Sequence, residues 1–269
     1  MIKRQNFLLC LFLLPALIFV SVFVSCDSFF SESWGSERSY DPDKIDLTTS
    51  NLDSWIENSI GNPKLAAALT EKIKVKVASM GNGSERAKFQ EAGVELAIEA
   101  SGIGTSIVSN AADILGNIDD LDGDQAVKDI LKDIQSDFSS GGPQAAANLA
   151  EIVNVSVDPS STGNGSVPKF NSDDSYAATA AASDVGEAVL VLSLAVLGDD
   201  IAKGVEDLGD GTDVAGLQLV NNKIKVTGNA SSEAIALAAY LNLIVDDTTG
   251  KFDNNPVTSA IKEAFKLDD

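Results

Sequence analysis

Asp120, Asp122 and Asp129 are spaced around Gly123 as the third, fifth and twelfth ligands of a calcium loop would be, with the glycine at the sharp sixth position. The first position, which needs another carboxylate, is Ile118. A second acidic loop, Glu206 to Asp213, has Leu208 where its third ligand should stand. Both loops therefore read as solvated helix-capping carboxylates, with weak calcium binding as the sharper alternative. Ser259 and Lys262, in "SAIK", lie one helical turn apart, the spacing at which a lysine amine takes the proton of a serine nucleophile. The Ser-Asp-Asn and Lys-Thr-Gly elements that complete such a centre are missing. The chain has no histidine, so imidazole acid–base chemistry and histidine-bound zinc are excluded. No GxxxxGK[ST], GxSxG or CxxC pattern occurs, and forty carboxylates include no pair set apart from the rest. No cofactor and no enzymatic activity are expected.

Acids outnumber bases 40 to 19, for a net charge of −21. Such a surface repels a phosphate backbone, so nucleic acid is not an expected partner. One segment departs from this balance. Lys64, Lys72, Lys74, Lys76, Arg86 and Lys88 place six bases within 25 residues, against only Glu71 and Glu85. They form a candidate docking patch for an acidic protein partner; the plainer reading is a helix face neutralised by carboxylates brought near by the fold.

The remaining reactive side chain is a thiol. Lys3 and Arg4 precede an apolar run, Phe7 to Val24, and together they have the two parts of a secretory leader. The run ends in Phe23-Val24-Ser25-Cys26, which resembles the lipobox of bacterial lipoproteins in the relaxed form of spirochaetes. That resemblance implies cleavage between Ser25 and Cys26, a diacylglycerol on the Cys26 sulfur and acylation of the new amino terminus. Phe23 stands where leucine is usual, and an uncleaved signal anchor is the alternative. Each buried methylene contributes roughly 0.8 kcal/mol, so two or three acyl chains hold a protein far longer than one. With Cys10 lost in the leader, the mature chain has no disulfide and depends on packing. The expected location is the cell envelope, anchored to a membrane by lipid, with the domain outside the cytoplasm.

These residues must be positioned by a fold that reads as mainly α: a multi-helix bundle or a degenerate, solenoid-like array of helical hairpins, with a small β-hairpin beside it. Residues 1–25 are the leader, 26–50 a Ser/Asp/Glu-rich tether, and 51–269 the helical domain. Asn62-Pro63 is a helix start, although Lys72 to Val77, "KIKVKV", alternates as a strand would. Phe89, Gly93, Leu96, Ala100, Ile103 and Ile107 recur at steps of three and four, giving a long helix an apolar face, bent near Gly102 and Gly104. Four Ala/Leu/Val-rich runs close on acidic stops at Asp119, Asp158, Asp199 and Asp246, at spacings of 39, 41 and 47 residues, the length of a helical hairpin. Ala188 to Leu197 is apolar on every side and belongs at the centre. Asp158 to Tyr176 reads as a loop, and Asn221-Asn222 as the tip of a hairpin whose "KIKV" strand echoes the earlier one.

In layout, anchor plus helical domain, the chain resembles treponemal lipoproteins with tetratricopeptide-like domains that serve substrate import. The expected function is that of a lipid-anchored, non-enzymatic binding or scaffold protein with a protein partner in the envelope. A carrier of a lipid or other small apolar ligand in a helical cavity is the alternative.

Overall fold

Asn62 turns its side-chain oxygen onto the backbone N–H of Leu65 at 3.1 Å, and Pro63 occupies the first turn, so the helix that follows starts where its orphan donors are satisfied. The computed structural model describes residues 41, 44–103, 125–157, 165–171, 175–198 and 201–267. The leader, Ser25, Cys26 and the acidic loop around Gly123 lie outside the described residues, as do the stops at Asp119, Asp158 and Asp199. Lys44–Asp269 form one compact unit. Its helices are α1 (Leu52–Ser59), α2 (Pro63–Ser79), α3 (Ser84–Ala100), α4 (Gln125–Ile152), α5 (Ser175–Thr179), α6 (Ala182–Leu197), α7 (Ile201–Gly209), α8 (Ser232–Val245) and α9 (Pro256–Ala264). Two short antiparallel pairs accompany them: β1 (Val155–Val157) with β2 (Pro168–Phe170), and β3 (Leu217–Leu219) with β4 (Ile224–Val226). The fold is thus mainly α with small hairpins. No helix among the described residues is long and apolar enough to cross a membrane.

The alternating segment Lys72 to Val77 is the last part of α2 and not a strand. On a helix Leu65, Leu69, Ile73 and Val77 fall in one buried row, while Val75 is left 69% exposed. Four buried residues over three helical turns outweigh six residues of period-two pattern, and "KIKVKV" does not pair with the later "KIKV". β4 pairs with β3 instead, in the register Leu219↔Ile224. Its turn is the one expected at Asn221 and Asn222, whose φ values of 52° and 56° give the twist a two-residue hairpin needs. A second hairpin pairs β1, which lies at the end of a run expected to be helical, with β2, which lies inside the Asp158 to Tyr176 segment expected to be a loop; its strands are only three residues each. Ser166 N–H donates to Val226 O at 3.0 Å and Val226 N–H to Ser166 O at 2.8 Å, which ties the two hairpins together.

Residues 44–50 pack on the helices instead of hanging free of them. Leu47 is buried, and the Lys72 ammonium donates to the Ile45 carbonyl at 2.8 Å while that of Lys76 donates to the carbonyl of Leu47. Lys76 also lies 4.6 Å from the centre of the Phe89 ring.

Phe89, Gly93, Leu96 and Ala100 of α3 are buried, as is Ile103 beyond its end, whereas Gly104 and Ile107 lie outside the described residues. The helix stops at Ala100, with Gly102 in the left-handed region at φ 79°. Gly93 is where three helices meet, since a Cβ there would stand 2.8 Å from Ile73 Cγ2 on α2 and 3.0 Å from Ile152 Cδ1 on α4. Of the all-round apolar run Ala188 to Leu197 in α6, Ala188 to Leu194 are buried and Ala195 to Leu197 are half-buried. α4 packs on α2, α3, α6 and α8, and α8 packs on α4, α6, α9 and both hairpins. In a solenoid each unit meets only its sequence neighbours. This packing is that of a bundle.

Candidate functional site

α8 begins at Ser231, whose hydroxyl accepts from the Ala234 N–H at 3.2 Å. Along it, Ala239, Asn242, Leu243 and Asp246 follow the helical steps of three and four and make one stripe. That stripe is the floor of a cleft of about 330 Å³, walled by Lys169 and Phe170 of β2, by Asn171 just past it and by Ala177 and Ala178 of α5. Its surface is mostly apolar and it opens to solvent.

Two devices hold the walls to the floor. The first is aromatic: Phe170 meets Tyr240 edge-on with ring centres 5.0 Å apart, and Tyr176 lies 5.8 Å from Phe170. The hydroxyls of Tyr176 and Tyr240 share a hydrogen bond of 2.8 Å in the fully buried interior. The second device is Asn242. Its amide donates to Pro168 O at 3.2 Å and to Ile224 O at 2.8 Å, and its carbonyl oxygen accepts from Ile224 N–H at 2.9 Å. One buried side chain thereby pins β2 and β4 to α8. At the rim the charges are unequal. Asp246 is engaged by Lys223, whereas among the described residues neither the Lys169 ammonium nor the Asn171 side-chain amide has a hydrogen-bond or ion-pair partner.

Of the cleft residues, the sequence marks only Asp246, and that as the acidic stop of a helical run. The available signal was Asn242, a carboxamide set within an otherwise apolar helical run from Ala234 to Val245. A buried amide must be satisfied, so it marks a place where irregular backbone meets the helix.

The six bases of the candidate docking patch are not all turned outward. Lys64 and Lys88 are exposed. Lys72 and Lys76 hold the 45–47 segment. Lys74 is paired with Glu71 at 2.8 Å and Glu151 at 3.5 Å, and donates to Asn148. Arg86 donates to Asn82 at 2.6 Å. Ser259 and Lys262 do not form a nucleophile–base pair: Ser259 donates to the Asp253 carbonyl and Lys262 is ion-paired with the Asp253 carboxylate, both closing the start of α9. In the second acidic loop the carboxylates separate, Asp207 to Lys203, Asp210 to Lys266 and Asp213 to the Gly216 N–H. No group of three or more acidic or sulfur side chains among the described residues is placed to hold a metal ion.

A different acidic set does converge. Glu91 and Glu95 of α3 share an electrostatic neighbourhood with Asp184 and Glu187 of α6 and Asp53 of α1. Burial, then the charges of Asp184, Glu91, Asp53 and Glu187, push Glu95 up to about 7. Burial and Asp184 push Glu187 up to about 7 as well. Lys251 opposes the rise at Glu91 and Asp184. A carboxyl whose folded pKa exceeds its unfolded value keeps its proton in the fold while the unfolded chain releases it. The contribution of Glu95 and Glu187 to stability is therefore most favourable below about pH 4.5, is lost as pH rises toward 7, and levels above that. Glu95→Gln should raise stability at pH 8 by about 1 kcal/mol, a figure reduced for solvent screening of half-buried groups, and leave it unchanged at pH 4.5. Thermal melts of both proteins at the two pH values check this; equal effects at both would refute it.

Comparison with known proteins finds no matching family model, no matching curated protein and no matching solved structure.

Proposed function

We propose that the protein is a lipid-anchored component of a bacterial cell envelope, exported by its leader and held at a membrane through Cys26, and that its helical domain works by binding, not by catalysis. The cleft between β2, α5 and α8 carries the binding half of this reading. It has the features of a small-ligand site, a concave, mainly apolar lining with a few polar groups at the rim. It favours a small-molecule carrier over a protein scaffold, because four of the six bases offered as a docking patch have partners within the domain. The anchor half rests on the Phe23-Val24-Ser25-Cys26 sequence.

Cells fed labelled palmitate should incorporate it into the native protein, and Cys26→Ser should abolish the label and move the protein out of the membrane fraction. Label that survives the substitution overturns the anchor. Crosslinking in intact cells addresses the scaffold reading: a stoichiometric protein adduct lost on Lys64→Glu and Lys88→Glu would restore the basic face as the working surface.

A further inference from the structure

The cleft has an apolar floor and two unused polar groups at one edge. Lys64, Lys88, Lys225 and Lys251, like Lys169, show no ion pair with a carboxylate among the described residues, but Lys169 is the lysine that lines the cleft. Lys74, Lys203, Lys223, Lys262 and Lys266 each pair with an acid, and Lys72 and Lys76 each hold a backbone carbonyl. Among the described residues Lys169 has neither kind of partner, although it lines the same cleft as Asp246, whose carboxylate is engaged by Lys223. Just past the end of β2, the Asn171 amide adds donors that have no partner among the described residues.

We propose that this cleft binds a small monocarboxylate with a short apolar chain, its carboxylate on Lys169 and Asn171 and its chain laid over Phe170, Ala239 and Leu243. The inference rests on the binding reading above and names its ligand class. An anion complements the one unpaired cation of the rim, and an ammonium or neutral head would leave that cation unanswered. A phosphate dianion is a poorer match, because one lysine and one amide face it from a protein of net charge −21. At about 330 Å³ the cleft stands at the small end of ligand sites, which run from roughly 300 to 1,000 Å³. A chain of a few methylenes fits; a bulky sterol or a diacyl lipid does not.

The test uses the full chain in lipid nanodiscs, with empty nanodiscs as blank, and follows carbon-13 hexanoate by ligand-observed NMR beside hexanol and hexylamine. Lys169 is exposed and unbonded, so Lys169→Gln leaves the fold intact, and Ala178 is exposed, so Ala178→Trp fills the cleft without touching the core. Hexanoate should bind saturably, roughly tenfold more weakly after Lys169→Gln, as loss of one charge-assisted hydrogen bond requires, and not at all after Ala178→Trp. Hexanol or hexylamine binding as well as hexanoate, or indifference to Lys169→Gln, overturns the carboxylate assignment while leaving an apolar site. Hexanoate binding that survives Ala178→Trp overturns the location. No saturable signal from any of the three overturns the assignment and the carrier reading together, whereas the palmitate experiment would still stand for the anchor.

Discussion

Asn242→Ala is expected to lower the unfolding free energy by about 3–5 kcal/mol. The side chain is buried and spends both amide protons and its carbonyl oxygen on backbone groups of two separate hairpins. Truncation leaves Ile224 N–H, Ile224 O and Pro168 O facing a methyl group, and an unmade hydrogen bond inside a protein costs more than a made one contributes. The melting temperature should fall by roughly 10 °C. Asn242→Asp is a sharper probe, because it keeps the acceptor but sets a carboxylate against two carbonyl oxygens; it should be at least as damaging at neutral pH. Lys223→Ala, which removes the partly exposed pairing with Asp246 on the same helix, should cost less than about 1 kcal/mol. Comparable losses from Asn242→Ala and Lys223→Ala in denaturant titrations would show that Asn242 is not the clamp.

The second large effect is steric. Gly93→Leu should cost about 3 kcal/mol, since the new side chain must be driven between Ile73 and Ile152 at the junction of α2, α3 and α4, and neither branched residue can swing its methyl aside. Gly93→Ala should be much milder: it gains helix propensity of about 1 kcal/mol and loses a similar amount to the close approach at 2.8 Å. Gly81→Ala, with nothing within 4 Å of the added carbon, serves as the control and should be nearly silent. Melts of the three variants decide the matter, and a silent Gly93→Leu would mean that the three helices are not in tight contact there.

How much of this could be read beforehand depended on whether a feature was set by neighbours in sequence or by neighbours in space. The start of α2 at Asn62-Pro63, the turn at Asn221-Asn222 and the central run of α6 are dictated by residues within a few positions of each other, and each stands where its residues predict. The strand-like alternation of Lys72 to Val77 misled because period two and period 3.6 overlap over six residues, and only the burial of Leu65 and Leu69 upstream shows which one operates. The β1–β2 pair escaped notice because three-residue strands carry almost no pattern of their own; Pro168 and Phe170 are extended because Asn242 and Tyr240, some seventy residues later, hold them. The cleft was illegible for the same reason. Its residues come from three segments, and an unpaired Lys169 is indistinguishable in sequence from any solvated lysine until the positions of the carboxylates are known.

The grip of Lys72 and Lys76 on Ile45 and Leu47 has a mechanical side. The two lysines are four residues apart on α2 and their acceptors two apart in the chain, one helical turn against two extended steps, so the entering segment lies along the helix and is fastened at both points. Any drag on the protein that is transmitted through the chain ahead of Lys44 must strip both fastenings and draw Leu47 out of its burial before it strains a single helix. The cleft is walled by β2, α5 and α8, none of which belongs to that path. A domain towed by its amino-terminal end would thus yield first at a short strap that can snap back, and its binding surface would keep its shape under load.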